Sequence, residues 1–200
     1  MFESRQSRWL FLVLEATCVP LALALGWLLG VDPTASMAWS SWAIGLGVAA
    51  AAPAWVIVVA AHRWRPSLFE SMMRLVDELL VPAFRNWTSV ELLLVSLLAG
   101  VGEELLFRGL LQQALIGPLG LWGALVAAAL VFGVVHALSA SYAVFATLMG
   151  AYLGWLWMAS GNLAVPIAAH AAYDFLTLAW LVRSAPLESV SSPPSDRQLL

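Results

Sequence analysis

Long apolar runs, separated by short polar clusters, make up most of the chain. The first extends from about Trp9 to Leu29 and stops at Gly30-Val31-Asp32-Pro33, where Asp32 and Pro33 read as turn residues. The second covers about Met37 to Ala61, holds Pro53 as an expected kink, and gives way to His62-Arg63-Trp64-Arg65-Pro66, a basic and aromatic segment of the kind found at membrane interfaces. A third runs from about Thr88 to Ile116, and Gly117-Pro118-Leu119-Gly120 predicts a tight turn after it. The fourth is about Leu121 to Leu138. After a connection at Ser139 to Ser141 the fifth reaches about Ala159, and Ser160-Gly161-Asn162 closes it. The sixth covers about Leu163 to Val182. Each is long enough for, or close to, the roughly 20 residues that a membrane-crossing helix needs, and the third is longer than that. Ser67 to Phe84 departs from this pattern. Leu68, Met72, Leu75, Val76, Leu79 and Leu80 recur at helical spacing, while Glu70, Arg74, Asp77 and Glu78 fill most of the other face. This predicts an amphipathic helix on the membrane surface, with a solvated connecting helix as the alternative. The tail, with Pro186, Pro193, Pro194 and several serines, reads as disordered. The fold class expected is all-α: a polytopic transmembrane bundle of about six spans plus one interfacial helix.

Composition strengthens this reading. Hydrophobic residues make up 62% of the chain and charged residues 10%, with a mean hydropathy of +0.88. Soluble domains are about 25% charged, so the natural solvent for this chain is the lipid bilayer. The nine basic residues are all arginine and the net charge is −3. No basic run tracks a phosphate backbone, which excludes nucleic acid as the expected partner. The single cysteine, Cys18, has no CxxC partner and reads as a small residue facing lipid or a helix. Arg5 and Arg8 before an apolar run have the polarity of a signal peptide, but the run is too long for one and reads as a retained span. Glu15 within it is an acid with no obvious partner. Arg5 and Arg8, then Arg63, Arg65, Arg74 and Arg85, then Arg183 and Arg197 all fall on one side of a six-span chain. The positive-inside rule puts both termini and the amphipathic helix in the cytoplasm. Ala146, Gly150 and Gly154 form a small-residue stripe that reads as plain packing.

Arg108 alone among the arginines lies within a span, in Gly102-Glu103-Glu104-Leu105-Leu106-Phe107-Arg108. A charged side chain near the middle of a membrane helix costs about 2.5–3.5 kcal/mol on insertion scales. Glu104 and Arg108 are one turn apart and can pair. Glu103 points about 100° away and is left over. An unpaired, desolvated acid suits proton transfer near neutral pH. The fourth span ends in Phe132-Gly133-Val134-Val135-His136, with Phe132 and His136 on one face. The sixth holds His170 and Asp174, also one turn apart. Polar groups on three spans are expected to face the bundle interior and to converge on one water-filled pocket. Taken singly, a buried His is more often a helix-to-helix hydrogen-bonding group and a Glu–Arg pair more often structural. The joint pattern is the specific signal.

Glu103-Glu104-x-x-x-Arg108, Phe132-x-x-x-His136 and His170-x-x-x-Asp174 resemble, in order and in placement on successive helices, the motifs of the CPBP family. These are the CAAX prenyl proteases and bacteriocin-processing enzymes, also called the ABI family. The resemblance covers about Ser89 to Leu181. It implies an intramembrane glutamic endopeptidase without a cofactor. Glu103 and His136 are implied to activate water for attack on a peptide carbonyl, and His170 with Asp174 to stabilise the oxyanion. Glu104 and Arg108 are implied to position Glu103, with Phe132 in support. Asp174 departs from members that carry Asn there. An ionised Asp would repel an oxyanion, so Asp174 is expected to be protonated or, preferably, to orient His170 and help it carry charge. The resulting division is 1–86, a two-span region with the interfacial helix; 87–183, the CPBP-like catalytic bundle; and 184–200, a cytoplasmic tail.

Two rival readings carry different chemistry. Glu103, His136 and His170 are acceptable zinc ligands, but no H-E-x-x-H is present and Arg108 beside the acids opposes a cation. A non-catalytic scaffold, immunity factor or transporter-like protein would have no need of the complete Glu103, His136 and His170 set. The expected substrate is a membrane-associated peptide or protein. The compact architecture points to a bacterial inner membrane, where cleavage of a prenylated CAAX end is not expected.

Overall fold

The computed structural model describes residues 5–184, and the regular structure among them is entirely helical. The expected tail, 184–200, lies beyond the described residues but for Ser184. Five stretches are long and apolar enough to cross a membrane: Arg8–Leu29, Ser41–Trp64, Ser89–Val135, Ala140–Ser160 and Ala164–Ser184. The third has 47 residues. A straight helix of that length would measure about 70 Å, more than twice a hydrocarbon core of about 30 Å. It breaks at Gly120, whose φ of 67° and ψ of 173° are not helical. Glycine takes this backbone without a steric penalty. The third and fourth expected spans are therefore two arms of one hairpin, and the chain is an integral membrane protein of the expected class.

The elements are α1 (Arg5–Leu29), α2 (Ser41–Trp64), α3 (Glu70–Leu75), α4 (Val81–Phe84), α5 (Ser89–Glu104), α6 (Gln113–Val135), α7 (Ala140–Ser160) and α8 (Ala164–Ser184). Between α5 and α6 the helix widens into a π-helical stretch, Leu105–Gln112. Capping residues fix several starts. The Thr88 hydroxyl accepts from the Glu91 amide while the Glu91 carboxylate accepts from the Thr88 amide, a capping box. Ser139 caps α7 through the Tyr142 amide. Ser40 caps α2 through the Ala43 amide, which places its start later than the apolar run suggests. The loop before it is pinned instead. Asn162 accepts from the Ala38 amide at 3.0 Å and donates to the Ala38 carbonyl at 2.7 Å. Gly161 ends α7 in the left-handed conformation.

The amphipathic stretch is four short pieces: a 3-10 turn at Ser67–Phe69, α3, a π turn at Val76–Leu80, and α4. Its polar face, Glu70, Arg74, Asp77 and Glu78, is exposed as expected. Much of its apolar face is turned onto the bundle rather than onto lipid. Met72, Met73 and Val76 are buried against Val58, Ala61, Phe145 and Leu181. Arg65 donates to Asp77 at 2.6 Å and ties this stretch to the end of α2. Arg8 meets Glu91 at 2.8 Å and Arg183 donates to Ser89 at 3.2 Å. The arginine-bearing ends of α1 and α8 thus sit together beside the start of α5.

Candidate active site

Glu103 and Glu104 close α5, both buried. Two glycines just before them let neighbouring helices approach. A Cβ on Gly100 would stand 2.9 Å from the Ala171 Cβ on α8. One on Gly102 would stand 2.8 Å from both the Cys18 Cβ and the Glu15 carbonyl oxygen on α1. The acidic pair is therefore clasped between α1 and α8, and Cys18 is a helix-facing residue, as expected.

Glu104 is fully buried and pairs as its spacing predicts. Its Oε1 accepts from Arg108 Nη1 at 2.7 Å. The other end of Arg108 donates to the Gly150 carbonyl at 2.8 Å, and its guanidinium lies over the Phe132 ring, 4.8 Å from the centroid. The same Glu104 oxygen also meets His170 Nδ1 at 2.8 Å, a contact that spacing alone could not reveal. Because a carboxylate only accepts, His170 Nδ1 donates there. His170 Nε2 stands 3.4 Å from Asp174 Oδ2 and 3.9 Å from Glu103 Oε2, so both ring nitrogens face acids.

Glu103 turns the other way. Its Oε2 is 3.6 Å from His136 Nε2 and has no hydrogen-bond partner. His136 Nδ1 is 2.8 Å from the Phe132 carbonyl oxygen. That oxygen can only accept, so Nδ1 holds the proton, and in the neutral ring Nε2 offers a lone pair toward Glu103. Phe132 stacks on the His136 ring at 4.3 Å, which fixes the ring plane as well as its tautomer. The structure thus brings together all seven residues singled out from the sequence: Glu103, Glu104, Arg108, Phe132, His136, His170 and Asp174.

A cavity of about 310 Å³ opens on this cluster, lined by Glu103, Phe132, His136, His170 and Asp174. A larger one, about 560 Å³, lies between α2 and α7, walled by Pro53, Ile57, Leu148 and other mostly apolar residues. None of the described residues lining it carries a carboxylate or imidazole, so size does not identify the site here. The polar cavity also admits residues that sequence reasoning missed or left unassigned. Glu15 of α1 lines it, as do Tyr142 of α7 and Tyr173 of α8. The only sequence signal for Glu15 was its presence as an acid in an apolar run. Gln112 is a further buried polar residue, whose side chain donates to the Gly154 carbonyl at 3.4 Å. Arg108 and Gln112 are four apart, as are the Gly150 and Gly154 carbonyls that receive them. The small-residue stripe on α7 therefore packs on α6 and also anchors these polar side chains. Among the described residues, no group of three or more His, Cys, Asp or Glu is arranged to hold a metal ion.

The described residues form a helical membrane bundle with acids and imidazoles around one polar cavity. Residues 85–176 match the model of the type II CAAX prenyl endopeptidase Rce1-like family, in agreement with the resemblance read from the three motifs. That stretch contains Glu103, Glu104, Arg108, Phe132, His136, His170 and Asp174. The matched family is a family of proteases, which supports peptidase activity. No curated protein and no solved structure matches the chain.

Proposed function

We propose that the protein is an intramembrane endopeptidase that hydrolyses a peptide bond of a membrane-associated peptide or protein, with water activated by Glu103 and His136. The observation that carries this reading is the buried, unpartnered Glu103 Oε2 facing His136 Nε2 at 3.6 Å in the cavity wall. A water at about 2.8 Å from each atom sits off the line between them. Glu103 takes a proton from that water, and the oxygen attacks the scissile carbonyl. His136 holds the water by the nitrogen that its Phe132 contact leaves free. Negative charge on the carbonyl oxygen is stabilised by His170, which Glu104 and Asp174 hold and charge-balance. When the tetrahedral intermediate collapses, the C–N bond breaks and Glu103 returns its proton to the leaving amine. Arg108 keeps Glu104 in place beneath His170.

The reading takes no metal and no cofactor. Both termini are on the cytoplasmic side of a bacterial inner membrane, supported by the arginine-bearing ends gathered around Glu91 and Ser89. The test is a proteomic comparison of host strains carrying the unmodified protein or the Glu103→Gln variant at equal levels. Peptides or precursor proteins that accumulate in the variant strain are the expected result. Indistinguishable profiles would overturn the reading.

A further inference from the structure

Glu15 is the one described carboxylate lining the cavity with neither a hydrogen bond nor an ion-pair contact to a described residue. Three carboxylates line the space, from Glu15, Glu103 and Asp174, against two imidazoles, from His136 and His170. Both imidazoles already face other groups: His136 Nδ1 meets the Phe132 carbonyl while its Nε2 faces Glu103 at 3.6 Å, and His170 sits between Glu104 and Asp174. Among the described residues no arginine lines the cavity, and Arg108 is spent on Glu104 and the Gly150 carbonyl. Glu15 makes no hydrogen bond or ion pair with any described residue. It stands within electrostatic reach of the Glu103 and Asp174 carboxylates and, more weakly, of the His170 and His136 imidazoles, so the described residues offset its charge only in part. An unmatched acid inside a membrane span is expensive and marks a function. Glu103 Oε2 in the same wall is also buried without a hydrogen-bond partner, so the cavity presents a second polar atom to a group from outside the chain.

The surroundings of Glu15 say which group. Phe11, one turn earlier on α1, lines the same wall, and so does Phe84 of α4, with ring centroids 5.2 Å apart. Leu80 adds to this apolar surface. A long side chain with an aliphatic stem and a cationic head suits such a wall. The stem covers the apolar surface, and the aromatic faces also attract the charge.

We propose that Glu15 is a specificity-determining residue that receives a lysine or arginine side chain of the substrate, seated across Phe11 and Phe84. The proposal rests on the endopeptidase reading for its purpose, since the cation then fixes the register of the peptide over Glu103. Its test does not require turnover. Fluorescent ten-residue apolar peptides, each with one lysine moved along the positions in turn, are titrated against Glu103→Gln protein in nanodiscs. Matched peptides carry norleucine in place of lysine, and empty nanodiscs correct for partition into lipid. At one or two adjacent positions lysine should bind at least about tenfold tighter than norleucine, equal to about 1.4 kcal/mol. Adding Glu15→Gln should reduce that preference to less than about twofold while norleucine peptides bind as before. A lysine preference that survives Glu15→Gln overturns the proposal. So does its absence at every position in the Glu103→Gln protein, where Glu15 is unaltered and folding of the second variant is not in question. Failure of the endopeptidase reading shows separately, as equal product formation by the unmodified and Glu103→Gln proteins.

Discussion

Removing Arg108 tests the frame that holds the acids. Its side chain is 1% exposed and makes two strong contacts, 2.7 Å to Glu104 and 2.8 Å to the Gly150 carbonyl. Arg108→Met keeps much of the volume and leaves Glu104, 0% exposed, without its cation. Breaking a buried pair from one side costs about 3–5 kcal/mol, because the remaining charge is uncompensated. His170 Nδ1 still reaches the same Glu104 oxygen, which places the expected loss near the lower end, about 3 kcal/mol. Glu104→Gln added to Arg108→Met removes the stranded charge and should recover at least about 1 kcal/mol. Activity of the double variant should stay below that of the unmodified protein, because a neutral amide holds His170 less firmly than a carboxylate does. Reversible unfolding in mixed micelles reads the stability directly, with the eleven tryptophans as reporters. An Arg108→Met variant within about 1 kcal/mol of the unmodified protein would refute this reasoning, as would a double variant no more stable than the single.

Two further substitutions probe the surroundings. Gly102→Ala presses a methyl group against the Cys18 Cβ and the Glu15 carbonyl, each 2.8 Å away, and should cost about 1–3 kcal/mol in the same unfolding assay; an unchanged midpoint would contradict the close α1–α5 contact. Asp174→Ala should lower kcat by about 10²–10³ if the His170–Asp174 pair stabilises the oxyanion, and Asp174→Asn should restore most of it by keeping the contact with His170 Nε2; equal kcat for all three proteins would remove Asp174 from the mechanism.

Much of the bundle was legible because insertion in lipid leaves a strong mark. Uninterrupted apolar runs marked the spans, and Gly117, Pro118 and Gly120 marked the hairpin between Ser89 and Val135. The seven motif residues were legible for a related reason. An ionisable group in such a run is costly, so Glu103, Arg108 and Asp174 stood out against their neighbours. What stayed hidden depended on geometry between helices. The π-helical stretch at Leu105–Gln112 leaves no periodicity signal of its own, yet it carries Arg108 and Gln112 toward the α7 carbonyls. The Glu104–His170 contact joins residues 66 positions apart, and each already had a nearer partner in its own helix. Glu15 was visible as an anomaly but not as part of the site, because only the packing of α1 on Gly102 turns it toward the cavity. The amphipathic stretch was recognised by its spacing, but spacing cannot tell whether an apolar face meets lipid or, as at Met72 and Met73, the protein itself.

The most direct test of the mechanism is hydrolysis by the purified protein in nanodiscs, in buffer enriched in H2¹⁸O and containing excess chelator. The substrate is a precursor that accumulates in the Glu103→Gln strain, and mass spectrometry follows both fragments. Cleavage at one peptide bond is expected with chelator present, with ¹⁸O in the new carboxyl group. Folded Glu103→Gln and His136→Ala proteins should lose at least about 10²-fold in rate, as fits removal of a group that moves or positions the transferred proton. Cleavage by Glu103→Gln at the unmodified rate would contradict the mechanism. So would activity that disappears in chelator and returns only with added zinc.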